Sequence, residues 1–132
     1  MPWYFYLAIM ACLGTFFFWV QVIVKYSERK ELSKDKKKDF EKRFKKIFHG
    51  DDSTKEKFID CDKLFHKIFL ELWYEWSFWE ILKQEPNEIW DLDKVWELHK
   101  IRNKLVHDFD DIGEKTLEHK LSDYKKEIKF IL

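Results

Sequence analysis

The side chains best suited to chemistry cluster between positions 99 and 107: His99, Arg102, Asn103 and His107. On a helix, His99, Asn103 and His107 recur at i, i+4 and i+8, and Arg102 lies three residues beyond His99, so the four share one side. An imidazole titrating near neutrality can take a proton from a ribose 2′-hydroxyl or return one to a leaving oxygen. A guanidinium can brace the charge of a reacting phosphate, and Asn103 can orient either group or hold that phosphate. Such chemistry needs no metal. The same residues can instead serve structure, with Arg102 and His107 pairing with Asp62, Glu97 or Asp108 to fix helix packing. Spacing alone leaves both readings open.

Other chemistries find no support in the sequence. The five histidines and two cysteines never take a ligand spacing such as Cys-x-x-Cys or His-Glu-x-x-His, so neither a metal nor another cofactor is expected. There is no glycine-rich phosphate loop and no nucleophile elbow. Cys12 lies in an apolar run and Cys61 far outside it, which argues against a disulfide and suits a reducing compartment.

The elements that must position the four residues are helices. Three glycines and two prolines leave few turns for a many-stranded fold. Leu98, Ile101 and Leu105 form an apolar row beside the polar one on a helix expected over about 92–108, extended by Leu92, Val95, Trp96 and Val106. A closing helix carries Leu117, Leu121, Tyr124, Ile128 and Ile131 at intervals of four and three. Upstream, His49-Gly50-Asp51-Asp52-Ser53 is a break, after which one long helix is expected from about Thr54 to Lys83, with Phe58, Cys61, Phe65, Phe69, Leu72, Trp76 and Trp79 on its buried face. The aromatics Trp73, Tyr74, Trp76, Phe78 and Trp79 are expected in the core, the alternatives being a base-stacking platform or a patch for a partner or membrane surface.

Charge divides the chain. Met1 to Val24 has no charged side chain, and Trp3 to Val24 is interrupted only by Gly14, Thr15 and Gln21. As a helix, this run rises about 33 Å, enough to cross a hydrocarbon core of about 30 Å. It has no basic start or small-residue cleavage site, so an uncleaved anchor is expected in place of a signal peptide. From Lys25 to Phe48 there are 11 Lys/Arg against 5 Asp/Glu, and from His49 onward 14 against 20. A cation excess just after the span predicts an outside N-terminus and a cytoplasmic domain at the cell membrane. The acidic remainder repels a polyanion unless the basic segment compensates. Leu32, Phe40, Phe44 and Phe48 recur at multiples of four, which predicts a basic helix continuous with the span. Its Lys36, Lys37 and Lys38 are candidate contacts for anionic lipid head groups or, alternatively, RNA.

The run Trp96-Glu97-Leu98-His99-Lys100-Ile101-Arg102-Asn103-Lys104-Leu105-Val106-His107 resembles the signature helix of HEPN-type domains, in which Arg is followed after four to six residues by His. It is similar above all to small bacterial membrane-anchored HEPN-like proteins with a W-x-x-H-x-x-R-N-x-x-x-H pattern. Ile59-Asp60-Cys61-Asp62-Lys63-Leu64 resembles an earlier helix of that group, so the likeness spans roughly residues 55–131 in outline. The resemblance implies a helical bundle, often dimeric, that either cleaves RNA without metal or only binds nucleotides, RNA or a protein partner. It also implies Arg102 and His107 as the catalytic pair assisted by Asn103. His99 and Asp62 are further candidate binding residues.

The expected architecture is thus all-α. A transmembrane anchor (1–24) continues into a basic juxtamembrane helix (25–48) and then a small antiparallel helical bundle (49–132). The expected function is membrane-tethered RNA binding or cleavage, or non-catalytic recruitment of a protein partner.

Overall fold

The apolar N-terminal run forms helix α1, Trp3–Ser27, in the computed structural model, which describes residues 1–27, 29–107 and 112–132. Over Trp3–Val24, α1 is long and apolar enough to cross a membrane, and none of that stretch is buried against the rest of the chain. Its large side chains, among them Phe16, Phe17, Phe18 and Trp19, point outward in all directions. A surface apolar all round has no favourable place in water.

Five more helices follow among the described residues: α2 Lys34–His49, α3 Thr54–Glu71, α4 Phe78–Lys83, α5 Leu92–His107 and α6 Glu114–Ile131. No strand occurs among those residues. The expected continuity of span and basic helix is not found. Arg29 to Ser33 is non-helical, and the Ser33 hydroxyl caps α2 by accepting from the Lys36 amide. The Lys30 amide meanwhile donates to Glu88 Oε1 at 2.6 Å, a tertiary bond that holds this connection in its own conformation. The basic segment also contributes to the core, since α2 packs on α3 and buries Phe40 and Phe44.

The long helix expected over 54–83 is divided in two. Helix α3 stops at Glu71, Trp73 and Trp76 take φ of 66° and 91°, and α4 starts after Ser77. Ser77 and Glu80 form a reciprocal capping box, in which the Ser77 amide donates to Glu80 Oε2 at 3.1 Å and the Ser77 hydroxyl accepts from the Glu80 amide. Apolar spacing runs through this break and conceals it. The predicted core is corrected accordingly: Phe78 is buried and Tyr74 half-buried, but Trp73 is 88%, Trp76 67% and Trp79 41% exposed.

Helix α3 is the centre of the bundle and touches α2, α5 and α6. Phe58, Cys61, Phe65, Ile68 and Phe69 are fully enclosed on it. Phe65 packs edge-on against Phe69, Phe78 and Tyr124, at ring separations of 5.2, 5.6 and 5.8 Å. Val95 and Leu98 of α5 and Leu117, Tyr124 and Ile128 of α6 complete the core. Both the α5 and α6 apolar rows thus face α3, which turns the polar row of α5 toward the α3–α6 seam.

Candidate functional site

Asp62 lies in the middle of α3, buried to 4% exposure, where an unpaired carboxylate would be costly. It has three partners. His99 Nδ1 is 3.0 Å from Oδ1, the Tyr124 hydroxyl donates to the same oxygen at 2.5 Å, and Arg102 Nε is 3.5 Å from Oδ2. One carboxylate of α3 therefore ties down two side chains of α5 and one of α6.

The network continues through Asn103. Arg102 Nη1 donates to Asn103 Oδ1 at 3.0 Å, and Asn103 Nδ2 is 3.4 Å from His99 Nε2. The Asn103 Nδ2 amide only donates, so Nε2 of His99 accepts from it and Nδ1 carries the hydrogen toward Asp62. Both ring nitrogens of His99 are then engaged, and Phe78 covers the ring edge-on at 5.0 Å. No free lone pair remains to act as a base. Arg102, its side chain 25% exposed, is the least satisfied member: Nε is buried without a hydrogen bond, its charge facing Asp62.

His107 stands outside this network. It is exposed at the C-terminal end of α5 and has no partner among the described residues. Five residues separate it from Arg102, which places the two about 140° apart around the helix. Of the acidic partners expected for the motif, Asp62 takes Arg102, whereas Glu97 pairs with Lys120 at 2.8 Å. The expected partner Asp108 lies outside the described residues.

The lysines of α2 are not brought to the motif. Lys36 pairs with Glu71 at 3.2 Å, nine positions and about 13 Å along α3 from Asp62. Lys37 lines a cleft with Arg29, Leu32 and Glu88, and Lys38 is exposed beside Asp35 and Lys42.

Sequence reasoning missed Tyr124 as a member of the site. It reads as one more apolar position of α6, yet a fully buried tyrosine must place its hydroxyl on a partner, and an acid on a facing helix is that signal. Burial, then the neighbouring Asp62 charge and its hydrogen bond, push the Tyr124 hydroxyl well above the ordinary tyrosine range. Burial, helped by Asp60 and Asp62, likewise lifts the Cys61 thiol to about 12, leaving it unreactive. Among the described residues no group of three or more His, Cys, Asp or Glu side chains could hold a metal ion.

No protein-family model matches the chain, and comparisons with curated proteins and with solved structures give no match either.

Proposed function

We propose that this chain is a membrane-tethered, HEPN-like helical module that acts by binding a partner and not by cleaving RNA, with α1 as the anchor and the bundle on the cytoplasmic side. The observation carrying this reading is that Asp62, His99 and Tyr124 are consumed in holding α3, α5 and α6 together, while Asn103 occupies the second ring nitrogen of His99. Arg102 spends its charge on Asp62, which weakens its pull on a phosphate. Cleavage would require a base and a cation converging on one phosphate, and here the inward histidine is occupied while the open one lies round the helix from Arg102.

The partially exposed Arg102 and the open His107 favour a second reading, in which a second copy completes a cleft and the pair cleaves RNA. The full-length chain in detergent, incubated with mixed RNA in EDTA, separates the two. Intact RNA, with wild type and His107→Ala alike, supports the binding module. Cleavage that resists EDTA and disappears in both Arg102→Ala and His107→Ala establishes the nuclease.

A further inference from the structure

Trp79 packs on Trp96 at 4.5 Å, and the three other exposed tryptophans of the bundle share one feature: they lie beside the point where the chain leaves α1. Trp73 and Trp76 project from the α3–α4 connection, and Trp90, 74% exposed, precedes α5. The exit segment is bonded to both places. The Lys30 amide donates to Glu88, Lys30 Nζ sits 3.9 Å over the Tyr74 ring, and Lys30 lines a groove with Trp73, Trp76 and Lys83. Arg29 donates to the Phe130 carbonyl at 2.9 Å and lies 4.3 Å over the Phe130 ring, which in turn packs on Trp90 at 5.2 Å.

Chain length sets how far Arg29, which adjoins this patch through Phe130, can be from a bilayer that holds α1. Val24 ends the apolar run, α1 continues to Ser27, and Arg29 follows two residues later. Three helical rises and two extended residues reach about 12 Å at most. The head-group zone occupies about 5–8 Å of that distance. Indole rings favour this zone, where an apolar body and an N–H donor are both accommodated. Both Trp73 and Trp76 also hold a left-handed backbone conformation that L side chains rarely adopt, and Tyr74 between them faces the bundle. The Trp73 conformation closes α3, with the Trp73 amide donating to the Leu70 carbonyl at 3.2 Å and the Tyr74 amide to the Phe69 carbonyl at 3.1 Å, and the Trp76 carbonyl lies 3.1 Å from His66 Nε2; the backbone is thus held in a turn that leaves two indoles facing outward.

We infer that Trp73, Trp76 and Trp90 are a membrane-docking surface that seats the bundle on the head-group layer of the bilayer holding its own anchor. This inference rests on the tether proposed above. Glu75 and Glu80 offset Lys30 and Lys83 around the groove, so docking depends on the indoles and not on anionic lipid. It therefore occurs on phosphatidylcholine and persists in high salt.

The test uses the full chain in phosphatidylcholine vesicles, with a nitroxide at Glu75→Cys in a Cys12→Ser background. Position 75 is exposed between the two tryptophans, and buried Cys61 stays unlabelled. Power saturation compares access of oxygen with that of a water-soluble nickel chelate, and a label at Glu118→Cys, near the far end of α6, serves as the aqueous reference. The expected oxygen-to-nickel ratio at 75 is several-fold above that at 118 and falls to the reference in Trp73→Ala/Trp76→Ala/Trp90→Ala. A label on native Cys12 reports the anchor separately. An aqueous ratio at 75 with Cys12 in the bilayer overturns docking and leaves the tether standing, whereas aqueous ratios at both overturn the two together. Shielding of position 75 from both reagents, with spin–spin broadening, would assign the patch to a second copy and also overturn docking.

Discussion

His99 of α5 and Asp62 of α3 meet at 3.0 Å across 37 positions of sequence, and this contact converts a row of chemically able side chains into a tertiary clamp. Tyr124 closes it from α6 and Arg102 covers its outer side. The clamp explains why His99, alone of the polar row of α5, is buried in a bundle lined by phenylalanines.

Removing the acid is the most damaging change expected. Asp62→Ala leaves His99, Tyr124 and the Arg102 charge without their common partner, and breaking a buried pair costs about 3 kcal/mol. Thermal unfolding followed by near-ultraviolet circular dichroism should shift down by roughly 12 °C or more.

The two histidines of the motif should behave oppositely. His99→Ala opens a buried site and strands Asn103, at about 2 kcal/mol, whereas exposed His107→Ala should stay within about 0.5 kcal/mol of wild type. Denaturant titration of both variants checks the split. Equal losses would mean that His107 is also a packing residue.

Thiol chemistry should distinguish native from unfolded chain. With its thiol held at about 12, Cys61 is almost wholly protonated at pH 8. A thiol-reactive dye should leave Cys61 unmodified in the folded protein and modify it after denaturation.

Glu127 gives the fold a pH dependence. Burial raises its carboxyl above the ordinary 4.5, although it accepts from the Trp90 amide at 3.2 Å. The native state then binds this proton more tightly than the unfolded chain, so its contribution to stability falls as pH rises from 4.5 through the native value. Glu127→Gln keeps an accepting oxygen and should raise the melting temperature at pH 7. The gain should shrink as pH approaches 4.5, and a gain constant across pH would count against a titrating Glu127.

Much of the scaffold was legible because apolar periodicity reports burial directly. The run from Trp3 to Val24 and the rows of α5 and α6 all correspond to helices. The break between α3 and α4 was not, because Phe69, Leu72, Trp76 and Trp79 keep helical spacing across it. The local Ser77-x-x-Glu80 cap was the competing signal, and it prevailed. Ser33 likewise ends the continuity expected between anchor and basic helix. As for the site, the spacing of His99, Arg102 and Asn103 placed them together. It could not show that the side they share faces Asp62, because that depends on how α5 rotates its apolar row onto α3. Nor could it reveal Tyr124, whose hydroxyl matters only once α6 is docked.

The most direct test of the clamp is a double-mutant cycle between Asp62 and His99, using Asp62→Asn, His99→Ala and the double variant in equilibrium unfolding. Residues joined in one buried network should couple by about 1–3 kcal/mol, so the double variant should lose that much less stability than the two single losses together. Strictly additive losses would mean that the two side chains do not hold α3 and α5 together, which contradicts the account.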